Sequence, residues 1–275
     1  CEERHLKLVG VGVSLRGIVN GADGLWVDPY RLVPGRNIPL RDMFQARLQM
    51  PVSVEDGVRA MANAEMLLSG YTSSDGMLFV RYGPGVGGAV CIDNDMYCGA
   101  HFKAVEIGHV MMWDNAGGAV ASVRRRLEDM IAFPVITDEV KKQFSAGFCP
   151  KLFEMVDGQS DKVTIYTVFD AYSEHDPGVT SILTRCQENL IYGIYNAVCL
   201  FDPKKIVLYG EAFENERFYQ NVMKMIWRCD MFPEYRDLIV KSAFNTTLSG
   251  RGPAALALRA FLECVDAPSG AQIEA

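Results

Sequence analysis

Apolar and polar residues follow two different periods along this chain, which predicts a mixture of strands and helices. Short apolar runs bounded by Gly, Pro or Asp are typical of buried strands, and we expect strands over residues 6–13, 52–55, 77–82, 89–92, 163–170 and 206–209. Apolar residues three or four positions apart are typical of helices with one buried face, and we expect helices over residues 40–48, 57–69, 120–133, 176–201, 215–229 and 253–265. Because strands and helices alternate, the pattern predicts an α/β fold.

The helix over residues 176–201 has the clearest pattern. Its apolar stripe consists of Ile182, Leu183, Leu190, Ile191, Ile194 and Val198. Asp202-Pro203 follows directly and is expected to end the helix. Two other stretches lack such a pattern, and we expect surface loops over residues 21–36, which are rich in Gly and Pro, and over residues 172–178.

Length and charge restrict the class of protein. With 275 residues, 49% of them hydrophobic, the chain can bury a large core and is long enough for two lobes. Its formal net charge of −7 argues against binding along a nucleic-acid backbone, which depends on clustered Lys and Arg. The basic run Arg124-Arg125-Arg126 precedes apolar residues at helical spacing, so we interpret it as a solvated helix face. No apolar run reaches the roughly 18 residues needed to cross a bilayer, and we expect no membrane partner.

The cysteines do not suggest a disulfide or zinc framework. Eight are scattered along the chain, at positions 1, 91, 98, 149, 186, 199, 229 and 264. None forms a C-x-x-C pair, and Cys91 and Cys199 lie inside apolar runs. We interpret them as reduced residues of a cytoplasmic protein.

A glycine-rich segment, residues 79–109, carries the chain's most distinctive motif. An apolar strand runs into Gly83, Gly85, Gly87 and Gly88, a second β-rich stretch follows, and the segment closes on Glu-Ile-Gly-His at residues 106–109. Glycine tolerates positive φ and has no Cβ, so such a turn can bring bare backbone close to a ligand. By itself the motif fits a plain hairpin about as well as a phosphate-binding loop.

The glycine turn and the Glu-Ile-Gly-His block together resemble the ROK family of repressors, open reading frames and kinases. Its sugar kinases carry a similar loop followed by an A-G-E-x-G-H block. Four further stretches resemble family motifs: G-V-G-V at residues 10–13, M-P-V-S-V-E-D at 50–56, D-P-K-K-I-V-L at 202–208 and G-P-A-A-L-A at 252–257. The match covers most of the chain and is weakest at residues 140–180.

The resemblance implies an α/β, two-lobe actin/hexokinase-like (ribonuclease H-like) fold with sugar and nucleotide held in the cleft. We expect residues 1–55, with the C-terminal helix of about residues 253–275, to form the small lobe. This lobe would be truncated at its N-terminus, because the family's opening strand and phosphate-binding D-x-G-G-T turn are missing. Residues 56–252 would form the large lobe with the glycine loop and the sugar-facing residues.

The catalytic base of the resembled kinases is the Asp of a V-E-N-D-A-N motif. An ungapped match places Asp56 on the Asn of that motif and Gly57 on the catalytic Asp. Gly57 has no group that accepts a proton, and general-base catalysis is worth roughly 10²–10⁴-fold in rate. We therefore expect no catalytic residue here, unless Asp56 takes over the role from its neighbouring position.

The expected phosphate sites also depart from the family pattern. The loop's G-T-G becomes Gly83-Pro84-Gly85, and proline removes both a hydroxyl and a backbone N–H that could bind an anion. The family's I-V-L-G-G-G continues here as Tyr209-Gly210-Glu211, which adds bulk and negative charge. We therefore regard the glycines as a remnant of a phosphate loop and expect no nucleotide cofactor.

The zinc site of the resembled family is not expected in this chain, because the sequence departs from the family's ligand pattern. Family members bind a structural zinc through the His of E-x-G-H and three cysteines. Counting from His109, the cysteine positions fall on Ala119, Ala121 and Arg126. A tetrahedral zinc site needs four N, S or O ligands, and only one of the family's four remains.

The sugar-facing positions are better preserved. Glu106, His109 and Glu128 match family residues that face sugar hydroxyls, and Asp56 keeps a polar acceptor at the Asn position. Carboxylates accept hydrogen bonds from neighbouring hydroxyls, and a neutral imidazole can donate or accept. Val105 replaces a family glycine beside Glu106, so the pocket is expected to be narrower. Ordinary surface carboxylates remain the alternative interpretation of Glu106 and Glu128.

Three hypotheses on function follow. The favoured one is a non-catalytic, pseudokinase-like ROK domain that senses a sugar, forms a homodimer or homotetramer, and belongs to a transcriptional regulator whose DNA-binding part is not in this sequence. The second is an active ROK-type hexose or N-acetylhexosamine kinase that uses ATP, with Asp56 as a displaced base. The third is a scaffold that binds no sugar.

Overall fold

The computed structural model describes residues 7–30, 32–70, 76–114, 123–229 and 233–266. The strands are β1 (Val11–Leu15), β2 (Ile18–Asn20), β3 (Leu25–Asp28), β4 (Val52–Asp56), β5 (Met77–Tyr82), β6 (Val86–Ile92), β7 (Asp95–Met96), β8 (Met111–Asp114), β9 (Val123–Arg126), β10 (Lys205–Tyr209) and β11 (Ile239–Lys241). The α-helices are α1 (Leu40–Leu48), α2 (Gly57–Leu68), α3 (Glu128–Ile131), α4 (Phe133–Gln143), α5 (Pro150–Met155), α6 (Ile165–Ser173), α7 (Pro177–Phe201), α8 (Glu211–Glu214), α9 (Glu216–Arg228) and α10 (Arg251–Asp266).

The described residues fall into two compact units. The first draws on residues 1–74, 91–104 and 246–275, and the second on residues 75–90 and 105–245. In the first unit, β1 and β4 pair in parallel from Val11 opposite Val52 to Leu15 opposite Asp56. Val19, Val52 and Val54 form a small buried cluster there. Helices α2 and α10 pack against each other and against these strands, which fixes the start of α2.

The second unit is built on a sheet in which β10 lies between β5 and β11 and pairs in parallel with both. Strand β6 follows β5 after the three-residue glycine turn and is its neighbour in the sheet. The ring of Tyr82, at the end of β5, is fully buried among Phe133, Phe213 and Phe218. Its hydroxyl donates to the carbonyl oxygen of Ile131 at 2.6 Å, so the end of β5 is held in a fixed position.

Helix α7 confirms the strongest prediction from the sequence. Asp176 caps its first turn by accepting from the N–H of Val179, and it also accepts from the N–H groups of Lys151 and Leu152 in α5. The helix ends at Asp202, whose φ of 43° is left-handed. The predicted positions of α1, α2, β4, β5, β10, α9 and α10 are likewise correct to within a few residues.

The strand predicted over residues 163–170 is wrong, because this segment contains helix α6. Thr164 and Thr167 form a capping box at its start, and Val168, Phe169, Ala171 and Tyr172 are buried on one side. The β-branched and aromatic composition favours a strand, but the helical spacing of the buried residues decides the structure. The loop expected over residues 172–178 is partly wrong as well, since Tyr172 and Asp176 are fully buried.

The helix predicted over residues 120–133 is wrong over residues 123–127, and residues 120–122 of it lie outside the described residues. Residues 123–126 form strand β9, which pairs antiparallel with β8 from Asp114 opposite Val123 to Met111 opposite Arg126. Only Glu128–Ile131 is helical before α4 begins. The arginine run therefore lies on an exposed strand rather than on a helix face.

Smaller differences concern the first unit. Strand β1 begins at Val11 rather than at residue 6, which itself lies outside the described residues, and the loop expected over residues 21–36 contains β3, paired with β2. No helix in the described parts of the chain combines the length and hydropathy required to cross a membrane.

Candidate functional site

The Glu-Ile-Gly-His tetrapeptide forms a single 3-10 turn, Ile107–His109, with Glu106 at its start. Ile107 and Gly108 are buried, whereas the side chains of Glu106 and His109 are 37% and 39% exposed. The turn therefore anchors its apolar middle in the second unit and presents its two polar ends to solvent.

Two glycines allow this turn to lie against β6. A Cβ atom on Gly88 would lie 2.8 Å from the carbonyl oxygen of Val105 and 2.9 Å from its Cγ1 atom. A Cβ atom on Gly108 would collide with the carbonyl oxygen of Val86. At these two positions the absence of a side chain serves close packing of backbone on backbone, a role that is independent of any phosphate.

Val105 occupies a strained conformation directly before Glu106. Its φ is 62°, in the left-handed region that β-branched residues rarely adopt, at a cost of about 1–3 kcal/mol. The residue is only 8% exposed, and its carbonyl oxygen accepts from the N–H of Ile107 at 2.7 Å. The packing around the turn therefore imposes a glycine-like backbone on a valine.

Glu128 comes to the same place from the start of α3. The N–H of Leu127 donates to the carbonyl oxygen of Val110 at 2.9 Å, which ties α3 to the end of the 3-10 turn. The side chain of Leu127 is fully buried and fills the space above Gly193 of α7, where a Cβ atom would collide with it. The first residue of α3 is thus held beside His109.

The structure brings Glu106, His109 and Glu128 together. His109 Nε2 lies 3.0 Å from Glu128 Oε1, and His109 Nδ1 lies 3.9 Å from Glu106 Oε2. Arg126 Nη1 is 3.5 Å from the same Glu128 oxygen. The cluster presents carboxylate acceptors on both sides of an imidazole, an arrangement that can bind adjacent hydroxyl groups.

Asp56 belongs to the first unit, where it is the N-cap of α2. Its Oδ1 atom accepts from the N–H groups of Val58 at 2.9 Å and Arg59 at 3.2 Å. Gly57 begins the helix, and a Cβ atom there would have only the carbonyl oxygen of Leu15 nearby, at 3.6 Å. The fold therefore accepts a side chain at Gly57, and the absence of one is a property of the sequence.

A buried ion pair beside Asp56 was missed by the sequence interpretation. The side chain of Arg59 donates to Glu55 through Nε at 2.8 Å and lies 2.7 Å from it through Nη2. Arg59 also donates to the carbonyl oxygens of Val19 and Phe102. Burial raises the pKa of Glu55, although the neighbouring guanidinium opposes that shift. The i, i+4 spacing of a Glu and an Arg is the signal that could have revealed the pair.

The glycine turn after β5 lies beside the carboxylate of Glu211. The N–H of Gly83 donates to the carbonyl oxygen of Gly85 at 3.0 Å. The carboxylate of Glu211, at the start of α8, lies directly against Gly83 where a Cβ atom would be. Its Oε2 atom is buried and has no hydrogen-bond partner among the described residues, and Oε1 is 3.9 Å from Arg81. A carboxylate in this position opposes an anion at the turn.

No cluster of three or more His, Cys, Asp or Glu side chains suited to a metal ion occurs within the described ranges. Arg126 occupies one of the positions expected to correspond to zinc ligands. The other two, Ala119 and Ala121, lie outside the described residues.

Comparisons with known proteins agree with the resemblance in the sequence. The sequence model of the ROK family matches residues 1–260. A β-glucoside kinase from Klebsiella pneumoniae is 25% identical over 214 residues, covering 78% of this chain and 67% of the kinase. A xylose repressor from Caldicellulosiruptor bescii is 22% identical over 240 residues, covering 85% of this chain and 58% of the repressor.

A solved structure of a ROK family transcriptional regulator, a homologue of the Escherichia coli MLC protein, superposes with a TM-score of 0.78 at 21% identity. The superposition covers 94% of this chain and 64% of that one. This likeness confirms the predicted actin/hexokinase-like fold.

Proposed function

The chain belongs to the ROK family, and we propose that it is the non-catalytic, sugar-sensing and oligomerising domain of a transcriptional regulator. Both kinases and repressors are among its relatives, so the choice between them depends on the residues at the expected sites. Those residues favour binding without phosphoryl transfer.

The observation that carries the proposal is the position of the catalytic base. Gly57 occupies it and offers no proton acceptor, and Asp56 beside it uses one carboxylate oxygen to cap α2. A base contributes roughly 10²–10⁴-fold to such a reaction, and a misplacement of about 1 Å can cost ~10²-fold. We therefore expect phosphoryl transfer to be negligible.

The glycine turn supports the same conclusion. Pro84 supplies neither a hydroxyl nor an N–H for a phosphate oxygen. The carboxylate of Glu211 lies against Gly83, where its charge would repel a nucleotide phosphate. Gly83, Gly85, Gly87 and Gly88 would then be retained for packing and for the turn itself.

Sugar recognition is assigned to the Glu106, His109 and Glu128 cluster, with Asp56 as a further candidate through its second carboxylate oxygen. Each carboxylate can accept from two neighbouring hydroxyls, and the buried residues Val105 and Ile107 on either side anchor the backbone of Glu106. The ligand class is a hexose, pentose or simple glycoside. This agrees with the printed names of the relatives, a β-glucoside kinase and a xylose repressor.

In this proposal, sugar acts by binding one conformation of the domain more tightly than another, because a ligand shifts an equilibrium only through such a difference. DNA contact belongs to residues outside these 275, and assembly as a homodimer or homotetramer is part of the proposal. The matched xylose repressor is longer than this chain, which covers 58% of it.

Calorimetric titration with glucose, xylose, N-acetylglucosamine and cellobiose, together with a coupled ATPase assay, tests this function. We expect at least one sugar to bind without ATP turnover. Glu106→Ala and Glu128→Ala should each weaken binding by at least about tenfold, which corresponds to about 1.4 kcal/mol. Glu154→Ala, an exposed change in α5, is the matched control and should leave the affinity unchanged. A protein that binds none of these sugars would contradict the proposal.

A ROK-type sugar kinase is the second candidate, favoured by the similarity to a β-glucoside kinase and by the second oxygen of Asp56. ATP turnover that depends on a sugar and is abolished by Asp56→Asn would establish the kinase and refute the regulator. Because Asp56 also caps α2, circular dichroism of that variant must first show an intact helix content.

A further inference from the structure

A cavity in the second unit is lined by none of the side chains Glu106, His109 and Glu128, although strand β8, which borders it, begins two residues after His109. It has a volume of about 670 Å³ and is bounded by strand β8, by Met130 of α3 and by the outward face of α7. Ligand sites in proteins typically enclose roughly 300–1,000 Å³. The cavity is therefore large enough for a small organic molecule.

Two aromatic side chains border this cavity and are unusually exposed. Trp113 on β8 is 60% exposed and Tyr192 on α7 is 49% exposed. Arg124, the partner of Trp113 across the β8–β9 hairpin, lies 5.0 Å from the centre of the indole ring. The guanidinium covers part of the ring, and the exposed remainder is a flat apolar surface on a strand that is paired with β9.

The opposite wall, formed by α7, supplies hydrogen-bonding groups. Glu188, Asn189 and Asn196 line the cavity, and none of them makes a side-chain hydrogen bond to another described residue. Each Asn amide can both donate and accept, and the carboxylate can accept two hydrogen bonds. The wall therefore offers donors and acceptors close to an aromatic surface.

Most charges around the cavity are already neutralised by neighbours. Asp114 is 3.3 Å from Arg125, and Arg185 pairs with Glu139. Glu188 is left as the one lining charge without an ion-pair partner among the described residues. Among the described lining residues the one cation, Arg185, is already paired with Glu139, and Arg124 beside the cavity lies over the Trp113 ring, so the chemistry favours a neutral ligand with many hydroxyl groups.

We propose that this cavity is an accessory binding site for a neutral mono- or disaccharide. The ring of Trp113 stacks on the apolar C–H face of the sugar, and Glu188, Asn189 and Asn196 bind its hydroxyls. Pairing an apolar face with adjacent hydrogen-bonding groups is the usual composition of small-molecule sites. This inference does not depend on the proposed sensing site and concerns different residues.

The test uses the full chain with Glu106→Ala, so that the proposed sensing site is disabled. Calorimetry and tryptophan fluorescence are recorded during titration with cellobiose and maltose. We expect one remaining site, with a fluorescence change on binding, and a loss of at least about tenfold in affinity when Trp113→Ala is added. Trp227→Ala removes another exposed tryptophan, 53% exposed on α9, and should leave the affinity unchanged.

Asn189→Ala provides a second variant that removes hydrogen bonds while keeping the indole, and it should also weaken binding. Cellobiose and maltose that fail to bind in the Glu106→Ala background, or bind equally well after Trp113→Ala, would overturn the proposal. Sedimentation velocity tests whether a second copy of the chain binds at this cavity instead of a sugar. If the protein is a dimer and Trp113→Ala dissociates it, this face is a protein interface and the proposal is overturned. Sugar binding that disappears with Glu106→Ala alone would refute only the accessory site.

Discussion

Gly108→Ala tests whether a glycine is needed at position 108 to pack the Glu106–His109 turn against strand β6, or whether the glycines near the site have no packing role. A Cβ atom at position 108 would lie far closer than 3.0 Å to the carbonyl oxygen of Val86. That oxygen belongs to the backbone of strand β6, which lies between β5 and β7 in the sheet. It therefore cannot rotate away as a side chain would. The clash must be relieved by moving the turn.

The expected cost follows from the geometry. Relief requires a displacement on the order of 1 Å, and forcing an extra methyl group into a packed site typically costs about 1–3 kcal/mol. The substitution also lowers the entropy of the unfolded chain, which by itself raises the free energy of unfolding by about 0.4–1 kcal/mol. We therefore expect Gly108→Ala to lower the free energy of unfolding by about 1–2 kcal/mol, and sugar affinity to fall by at least about tenfold because Glu106 and His109 move.

Gly85→Ala is the matched control. It lies in the glycine turn itself, yet no atom lies within 4 Å of the Cβ position and its φ is not in the left-handed region. We expect wild-type affinity for this variant and a free energy of unfolding up to about 1 kcal/mol above that of the wild type, because the unfolded chain loses entropy and nothing clashes. Urea unfolding followed by circular dichroism gives the free energy of unfolding, and calorimetry gives the affinity. If Gly108→Ala matched the wild type in both, or if Gly85→Ala were the more damaging change, the packing argument would be refuted.

Three further predictions concern strain and charge. Val105→Gly removes a buried side chain but also relieves the left-handed conformation of a valine. It should therefore lower the free energy of unfolding by about 1–3 kcal/mol less than Val207→Gly, which removes a fully buried side chain from an unstrained strand position. Equal losses of free energy in urea unfolding would contradict the strain at Val105. Burial raises the pKa of the Glu55 carboxyl above its ordinary 4.5. The stability that this pKa shift contributes is therefore fully present below pH 4.5 and is lost as the pH rises through the raised pKa. Unfolding curves from pH 4 to 8 should show this loss in the wild type and not in Glu55→Gln. Glu211→Ala removes a buried oxygen without a hydrogen bond and should raise the free energy of unfolding by about 1–3 kcal/mol, whereas a neutral or negative change would show that the carboxylate is satisfied.

The candidate site was only partly predictable from the sequence. The resemblance to the ROK family singled out Glu106, His109 and Glu128, and these three side chains do lie together. The sequence interpretation did not use the N-cap signal of Asp56, although an Asp directly before the predicted helix over residues 57–69 is typical of a cap. The resemblance implied that Glu211 adds negative charge near the phosphate sites, and the structure adds that its carboxylate lies directly against Gly83, more than a hundred residues away along the chain.

Local periodicity determined the elements whose burial is one-sided and regular. Helix α7 has an apolar stripe and a defined stop at Asp202, and strands β5 and β10 are mostly apolar and buried, so their own residues specify their structure. Short motifs in the sequence also indicated the ROK family, which the family model confirms.

Tertiary structure decided the segments whose local preferences conflict with their surroundings. Residues 123–126 read as part of a helix, but pairing with β8 makes them a strand. Residues 163–170 read as a strand, but burial on one side against neighbouring helices places residues 165–170 of them in helix α6. Val105 adopts a backbone that its own side chain disfavours, because the turn is packed against β6. Intrinsic preferences differ by only about 1 kcal/mol per residue, and contacts between residues distant in sequence outweigh them.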